Sequence, residues 1–189
     1  FSHLVDWVIG DSTTEKYQDN RHLSVLQQPD IANILNHYGL TPEEMANYHR
    51  FTLLEADAPA LCADRVDYAF RESPQVITRQ CLKHLANHHG QIIFVDEQAA
   101  YVFASNFLDR QNRHWSGYEA MTRYVLFSDL LKAAINDGIL TVQDFCATDQ
   151  VVIDKLLKTN NPKYLRVLKT LEAKDLSSLN QSVNPTYKK

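Results

Sequence analysis

The chain has 189 residues with 19 basic and 23 acidic side chains, a net charge of −4, and enough length to bury a core in one domain or a domain with a small appendage. With 44% hydrophobic and 22% charged residues it has the composition of a globular protein, and no apolar run approaches the roughly 18 residues of a membrane span, so neither disorder nor a membrane partner is expected. The acidic balance supplies no positive field for duplex nucleic acid. Cys62, Cys81 and Cys146 are odd in number, far apart and without CxxC spacing, which suits a reducing, cytoplasmic setting better than a disulfide framework.

In chain order, Phe1 already lies within an amphipathic pattern with no signal-peptide text before it, so part of the polypeptide is expected upstream. Leu4, Val5, Val8 and Ile9 form the apolar face of a first helix, and Gly10, tolerant of the left-handed region, should end it. Positions 11–20 read as a polar loop. Apolar residues from Leu23 to Leu35 mark short helices interrupted at Pro29, with Gly39 as terminator. Thr41 followed by Glu44 spells a capping box for a helix from Pro42 to about Arg50.

From Ala58 to Glu72 the only breaker is an early proline, which predicts a helix stopped by Ser73-Pro74. A further helix is expected from Gln75 to His88, closed by Gly90. Ile92, Ile93, Phe94 and Val95 have strand propensity and make the one good candidate for a strand or hairpin. Helical spacing resumes over Ala99–Leu108, and a long apolar helix should run from Trp115 to Asn136, ended by Gly138. Short helices over 141–147 and 149–158, a turn at Asn160-Asn161-Pro162 and a last helix over Lys163–Lys174 complete the pattern. The fold class is therefore all-α, a helical bundle with at most one short β-hairpin. Residues 1–175 read as one domain with a trailing helical region from about 97, and 176–189 as a loosely ordered tail.

Chemistry concentrates in two places. On a helix, Asp64, Tyr68 and Glu72 share a face, and Asp67 and Arg71 make an adjacent i, i+4 pair. A carboxylate suits a divalent metal, and the guanidiniums of Arg65 and Arg71 suit phosphate oxygens. The competing reading is a solvated, salt-bridged helix face. The second place is His3 and Asp6, three apart, where a carboxylate could hold an imidazole in one tautomer for general acid or base work. Elsewhere, His84, His88 and His89 lack an adjacent third ligand, and His49 at a helix end could face a cavity or simply cap the helix. With only 5 glycines a phosphate-binding loop is excluded.

The FSH of Phe1–His3 and the ADRVDY of Ala63–Tyr68 together resemble the HD superfamily of metal-dependent phosphohydrolases, nearest its deoxynucleotide triphosphohydrolase-like branch. The resemblance implies an HD-type helical fold, in which Asp64 is a metal ligand and His3 and Asp6 are catalytic. It further implies that Arg65, with Arg71 nearby, contacts phosphate and that Tyr68 contacts the sugar. It also implies a divalent cofactor (Mn, Fe, Mg, Ni or Zn) and a small-molecule phosphoester or nucleotide as partner. A homo-oligomer is expected as well, and the apolar stretch from Trp115 to Leu131 could supply its face in a purely helical assembly domain. The first His and the His-Asp doublet of the family would precede Phe1, so a metal could be lost from this chain. A further His-Glu pair of that branch falls in register with Gln18 and Asp19, with His22 close by. Because glutamine is no general base, the alternative is a catalytically inactive HD scaffold that binds nucleotide or regulates.

Overall fold

The computed structural model describes residues 2–57, 59–173 and 176. In chain order the α-helices are α1 Ser2–Val8, α2 Tyr17–Leu26, α3 Pro29–His37, α4 Pro42–Ala46, α5 Ala63–Glu72, α6 Gln75–Leu82, α7 Glu97–Arg110, α8 Tyr118–Asn136, α9 Asp149–Lys158 and α10 Pro162–Glu172. Strands β1 (Leu85–His88) and β2 (Gln91–Phe94) form an antiparallel hairpin between α6 and α7. The fold is all-α with one short hairpin, as expected. Among the described residues no helix is long and apolar enough to cross a membrane.

The chain divides into two compact units, residues 1–21 with 113–189, and residues 22–112. In the first, α1 and α10 pack on α8, and the core gathers Leu4, Leu131, Val152, Leu156, Tyr164 and Leu168. Each fully buried Leu or Val in such a cluster is worth about 1.5–3 kcal/mol against an exposed one. Leu130 and Leu131 of α8 belong to this core, so that part of the apolar helix is spent inside the unit. A turn of 3-10 helix over Val142–Cys146 replaces the short α-helix expected at 141–147. It is opened by a Thr141–Asp144 capping box and tied to α9 by Lys155 Nζ, 2.6 Å from Asp144 Oδ1.

In the second unit α6 packs on α7, and α7 on β2. Phe103 lies at the centre, its ring 5.5 Å from Phe70, 5.1 Å from Phe94 and 6.0 Å from Phe107. The capping box at Thr41 and Glu44 forms as read from sequence, but α4 stops at Ala46 and a 3-10 turn carries Tyr48–Arg50.

Further boundaries differ from expectation for physical reasons, and the polar loop expected over 11–20 gives way to α2 at Tyr17, whose N–H is held by the Asp6 carboxylate. The helix expected from Gln75 to His88 ends at Leu82, because Leu85–His88 pairs with β2 through a His89-Gly90 turn. Both turn residues have positive φ, 49° and 79°, as a two-residue hairpin with the right-handed strand twist requires. The helix expected from Ala58 begins only at Ala63, since the preceding loop is held by the Ala63 N–H to Leu53 O (2.7 Å) and by the Arg65 guanidinium. The long helix starts at Tyr118 rather than Trp115, because Gln111–Trp115 continue α7 as a wider π-turn. Finally, Gly10 does not take the left-handed conformation that Gly138 adopts at the end of α8. A Cβ on Gly10 would instead lie 2.8 Å from Asp6 Oδ1 and 2.9 Å from Asp6 Cα, so space and not φ demands glycine there. The expected loose tail, apart from a buried Leu176, lies outside the described residues, as does Phe1.

Candidate functional site

The first unit holds His3, Asp6 and Asp19; the second holds His22, His49, Asp64, Arg65, Tyr68 and Arg71. On α1 the side chains of Leu4, Val5 and Asp6 turn inward and His3 faces out, with 57% of its side chain exposed. Asp6 is only 1% exposed. Its Oδ1 accepts the Tyr17 N–H at 2.9 Å, which fixes the start of α2 against α1, while its Oδ2 has no hydrogen-bond partner among the described residues. The carboxylate that stands beside His3 is that of Glu15, Oε2 lying 3.7 Å from Nδ1. Asp19 and its neighbour Gln18 are exposed in the first turn of α2.

A groove of about 580 Å³ in the first unit is bordered by His3, Arg123 and Glu172 and lined by apolar side chains that include Tyr124 and Phe127. Arg123 is already employed there. Its guanidinium donates to the carbonyls of Leu171 and Ala173 at the end of α10 and to Glu119 Oε1, which satisfies carbonyls that a helix C-terminus leaves unpaired.

In the second unit α5 presents the residues singled out in ADRVDY. Val66 and Ala69 are buried and anchor it, whereas Asp64, Asp67 and Arg71 are exposed and Arg65 and Tyr68 are half-buried. Asp64 sits in the first turn, and its carboxylate makes no hydrogen bond or ion pair with any described residue. Asp67, by contrast, accepts from Arg71 Nε at 2.7 Å. The Arg65 guanidinium donates to Ala56 O at 3.4 Å and to Ala60 O, and so clamps the loop that leads into α5. Tyr68 packs with its ring 6.0 Å from that of Phe107. Burial pushes its phenol above the ordinary value, against the pull of the Arg65 charge, so the O–H stays a proton donor at neutral pH. His22 and His49 come together through Tyr48, whose ring lies 5.7 Å from His22 and 4.4 Å from His49.

An exposed, uncommitted carboxylate is a donor that hard divalent ions accept, so Asp64 fits as one ligand. No group of three His, Cys, Asp or Glu side chains able to hold a metal occurs among the described residues, so further ligands would have to complete the coordination. Sequence reasoning missed Glu15. The signal that could have found it is the Asp11-Ser-Thr13 run, a turn-forming spelling in which Asp11 Oδ1 accepts both the Thr13 N–H (2.8 Å) and its hydroxyl (2.6 Å). The Glu15 N–H then closes on Asp11 O at 2.9 Å.

At the level of class, the chain is an all-α protein that carries an acidic and basic helix, α5, on one unit and a histidine beside a carboxylate on the other. No family model matches it, and no solved structure does. It is similar to YdhJ of Bacillus subtilis (strain 168), described as an uncharacterized protein, at 32% identity over 186 aligned positions that cover 90% of this chain and 54% of the relative. The chain therefore spans about half the length of the curated relative it matches.

Proposed function

We propose that the chain is part of an HD-type, metal-dependent phosphohydrolase acting on a nucleotide-like phosphoester. The observation that carries the reading is Asp64, a carboxylate left uncommitted among the described residues on a helix whose other functional groups are all engaged. Ligands beyond Asp64 are not among the described residues as a group of three, and the matched relative is longer than this chain, which covers 54% of it. A bound divalent ion, Mn, Fe, Mg, Ni or Zn, would supply a Lewis acid and an acidified water. The rest falls to the chain itself. His3 enters this reading through the family resemblance alone, as the group that would give a proton to the leaving oxygen. Arg71 would exchange Asp67 for a phosphate oxygen at little cost, since an exposed pair is worth about 0.2–1 kcal/mol. Tyr68 would donate its phenol O–H to the sugar. Arg65 reaches phosphate only by releasing the Ala56 and Ala60 carbonyls, so its first duty is to shape the loop before α5.

The three cysteines, none in a disulfide, support a reducing, cytoplasmic setting.

A second reading, a scaffold that binds nucleotide without turnover, is favoured by Gln18, an amide without a titratable proton in the exposed first turn of α2. The experiment is to incubate the full protein with a panel of deoxynucleotides and added Mn, with calorimetry for binding and chromatography for products. Metal-dependent release of phosphate supports the hydrolase, binding without products supports the scaffold, and neither binding nor products refutes both.

A further inference from the structure

We infer that Glu15 is the positioning carboxylate of His3, the role for which the sequence offers Asp6. Glu15 is held in place from three directions. Its side chain is 5% exposed although it projects from a polar connecting segment, and its Oε2 faces His3 Nδ1 at 3.7 Å. Its backbone lies in the left-handed region at φ 50°, a conformation that costs a non-glycine residue about 1–2 kcal/mol and persists only where the surroundings impose it. The surroundings do so. Upstream, the Asp11 carboxylate organises Thr13, and Asp11 O accepts the Glu15 N–H. Downstream, Tyr17 is pinned by its N–H to Asp6 Oδ1. The residue expected to orient the imidazole thus fixes the backbone two positions beyond the residue that faces it.

At 3.7 Å the carboxylate stands about half an ångström beyond the range of a formed hydrogen bond, and catalytic contacts that are long in the free protein tighten when substrate is bound. A carboxylate at Nδ1 favours the Nδ1–H tautomer, because the hydrogen bond made by one ring nitrogen determines the state of the other. Nε2 is then left bare, able to take up a proton and deliver it outward from the exposed edge of α1. Other charged groups near the ring are Asp6 on its own helix, turned inward, and Arg123 and Glu172 across the groove. Arg123 is committed to the end of α10, and among the described residues Glu15 is the one whose carboxylate lies within 4 Å of a His3 ring nitrogen. The use made of Nε2 rests on the hydrolase reading; the tautomer itself does not.

The test is long-range 1H–15N correlation spectroscopy on the full protein, with His3 assigned by His3→Gln, at a pH where the ring is neutral. The expected result is a predominantly Nδ1–H ring in the unaltered chain. It should revert to the Nε2–H form of a free imidazole in Glu15→Ala, and shift part-way in Glu15→Gln, whose amide oxygen is a weaker acceptor. Glu15→Gln keeps the shape and serves if the alanine variant does not fold. Asp6→Asn should leave the tautomer unchanged. An Nε2–H ring in the unaltered chain, or a tautomer that responds to Asp6→Asn and to neither Glu15 variant, overturns the assignment. Neither outcome bears on whether the full protein hydrolyses phosphoesters, which its turnover assay reads separately.

Discussion

Replacing Gly10 by alanine probes how α1 is fastened to the start of α2. The new methyl carbon would lie 2.8 Å from Asp6 Oδ1, 2.9 Å from Asp6 Cα and 3.3 Å from Tyr17 Cβ. Ordinary contact needs about 3.4 Å or more, so the last turn of α1 has to open by about half an ångström, and backbone cannot rotate away as a flexible side chain would. The same displacement pushes the Asp6 carboxylate off the Tyr17 N–H, now 2.9 Å away. Losing a hydrogen bond to a charged acceptor costs about 1.5–3 kcal/mol, and local overpacking about 1–3 kcal/mol. Alanine returns about 0.4–1 kcal/mol by restricting the unfolded chain. The net expectation is a loss of about 1.5–5.5 kcal/mol, or a fall in Tm of roughly 3–20 °C at about 2–4 °C per kcal/mol for a chain of this size. Urea and thermal unfolding followed by circular dichroism measure it. Asp6→Ala in the same background removes the Oδ1 clash but not the Cα clash, so the double variant should lose less than the sum of the single losses. A Gly10→Ala chain as stable as the parent, or strict additivity with Asp6→Ala, would refute this account of the junction.

Two further outcomes follow from the core of the same unit. Tyr164 donates its O–H to Asp137, and chiefly for that reason its phenol is pushed up to about 12 from 10.0. A proton held more tightly in the folded chain contributes stability that is whole below about pH 10 and fades as the pH rises toward about 12. Tyr164→Phe should therefore cost about 1–2 kcal/mol near neutral pH and flatten the stability profile above pH 10, as urea titrations at several pH values would show. A parent profile that does not fall over that interval contradicts the assignment. Adjacent residues on α9 should behave oppositely: Leu156 is fully buried and Leu157 is 43% exposed. Leu156→Ala is expected to cost about 2–5 kcal/mol and Leu157→Ala much less, and equal losses by chemical denaturation would mean that α9 is rotated from the orientation described.

How far the fold could be read in the sequence depended on whether each signal was local. Thr41 with Glu44, Pro29 and Pro42 in their first turns, and the Ile92–Phe94 run act through neighbouring backbone, and each marks an element that forms. The first strand was hidden because Leu-Ala-Asn-His has little β propensity of its own; it is a strand because it pairs with β2 across a turn with two positive φ values. The start of α5 was hidden likewise, since Arg65 reaches back to Ala56 and Ala60 and holds as loop a stretch whose composition favours helix. At the site, spacing put His3 and Asp6 on adjoining positions of one helix but could not say that one faces in and the other out. Glu15 was out of reach because only the left-handed turn brings it to the imidazole. The grouping on α5 was legible because i, i+4 spacing survives folding unchanged, as the Asp67–Arg71 pair demonstrates.

The proposed hydrolase turns most directly on Asp64. Bound divalent metal and phosphate release should be measured together on the full protein and on its Asp64→Ala variant, with circular dichroism to verify that both are folded. The expected result is a variant that keeps its helical content, loses metal, and turns over at least about a hundredfold more slowly, the scale on which interactions that stabilise developing charge act. A folded variant that retains both its metal and its rate would contradict the assignment of Asp64, and with it the phosphohydrolase reading of this chain.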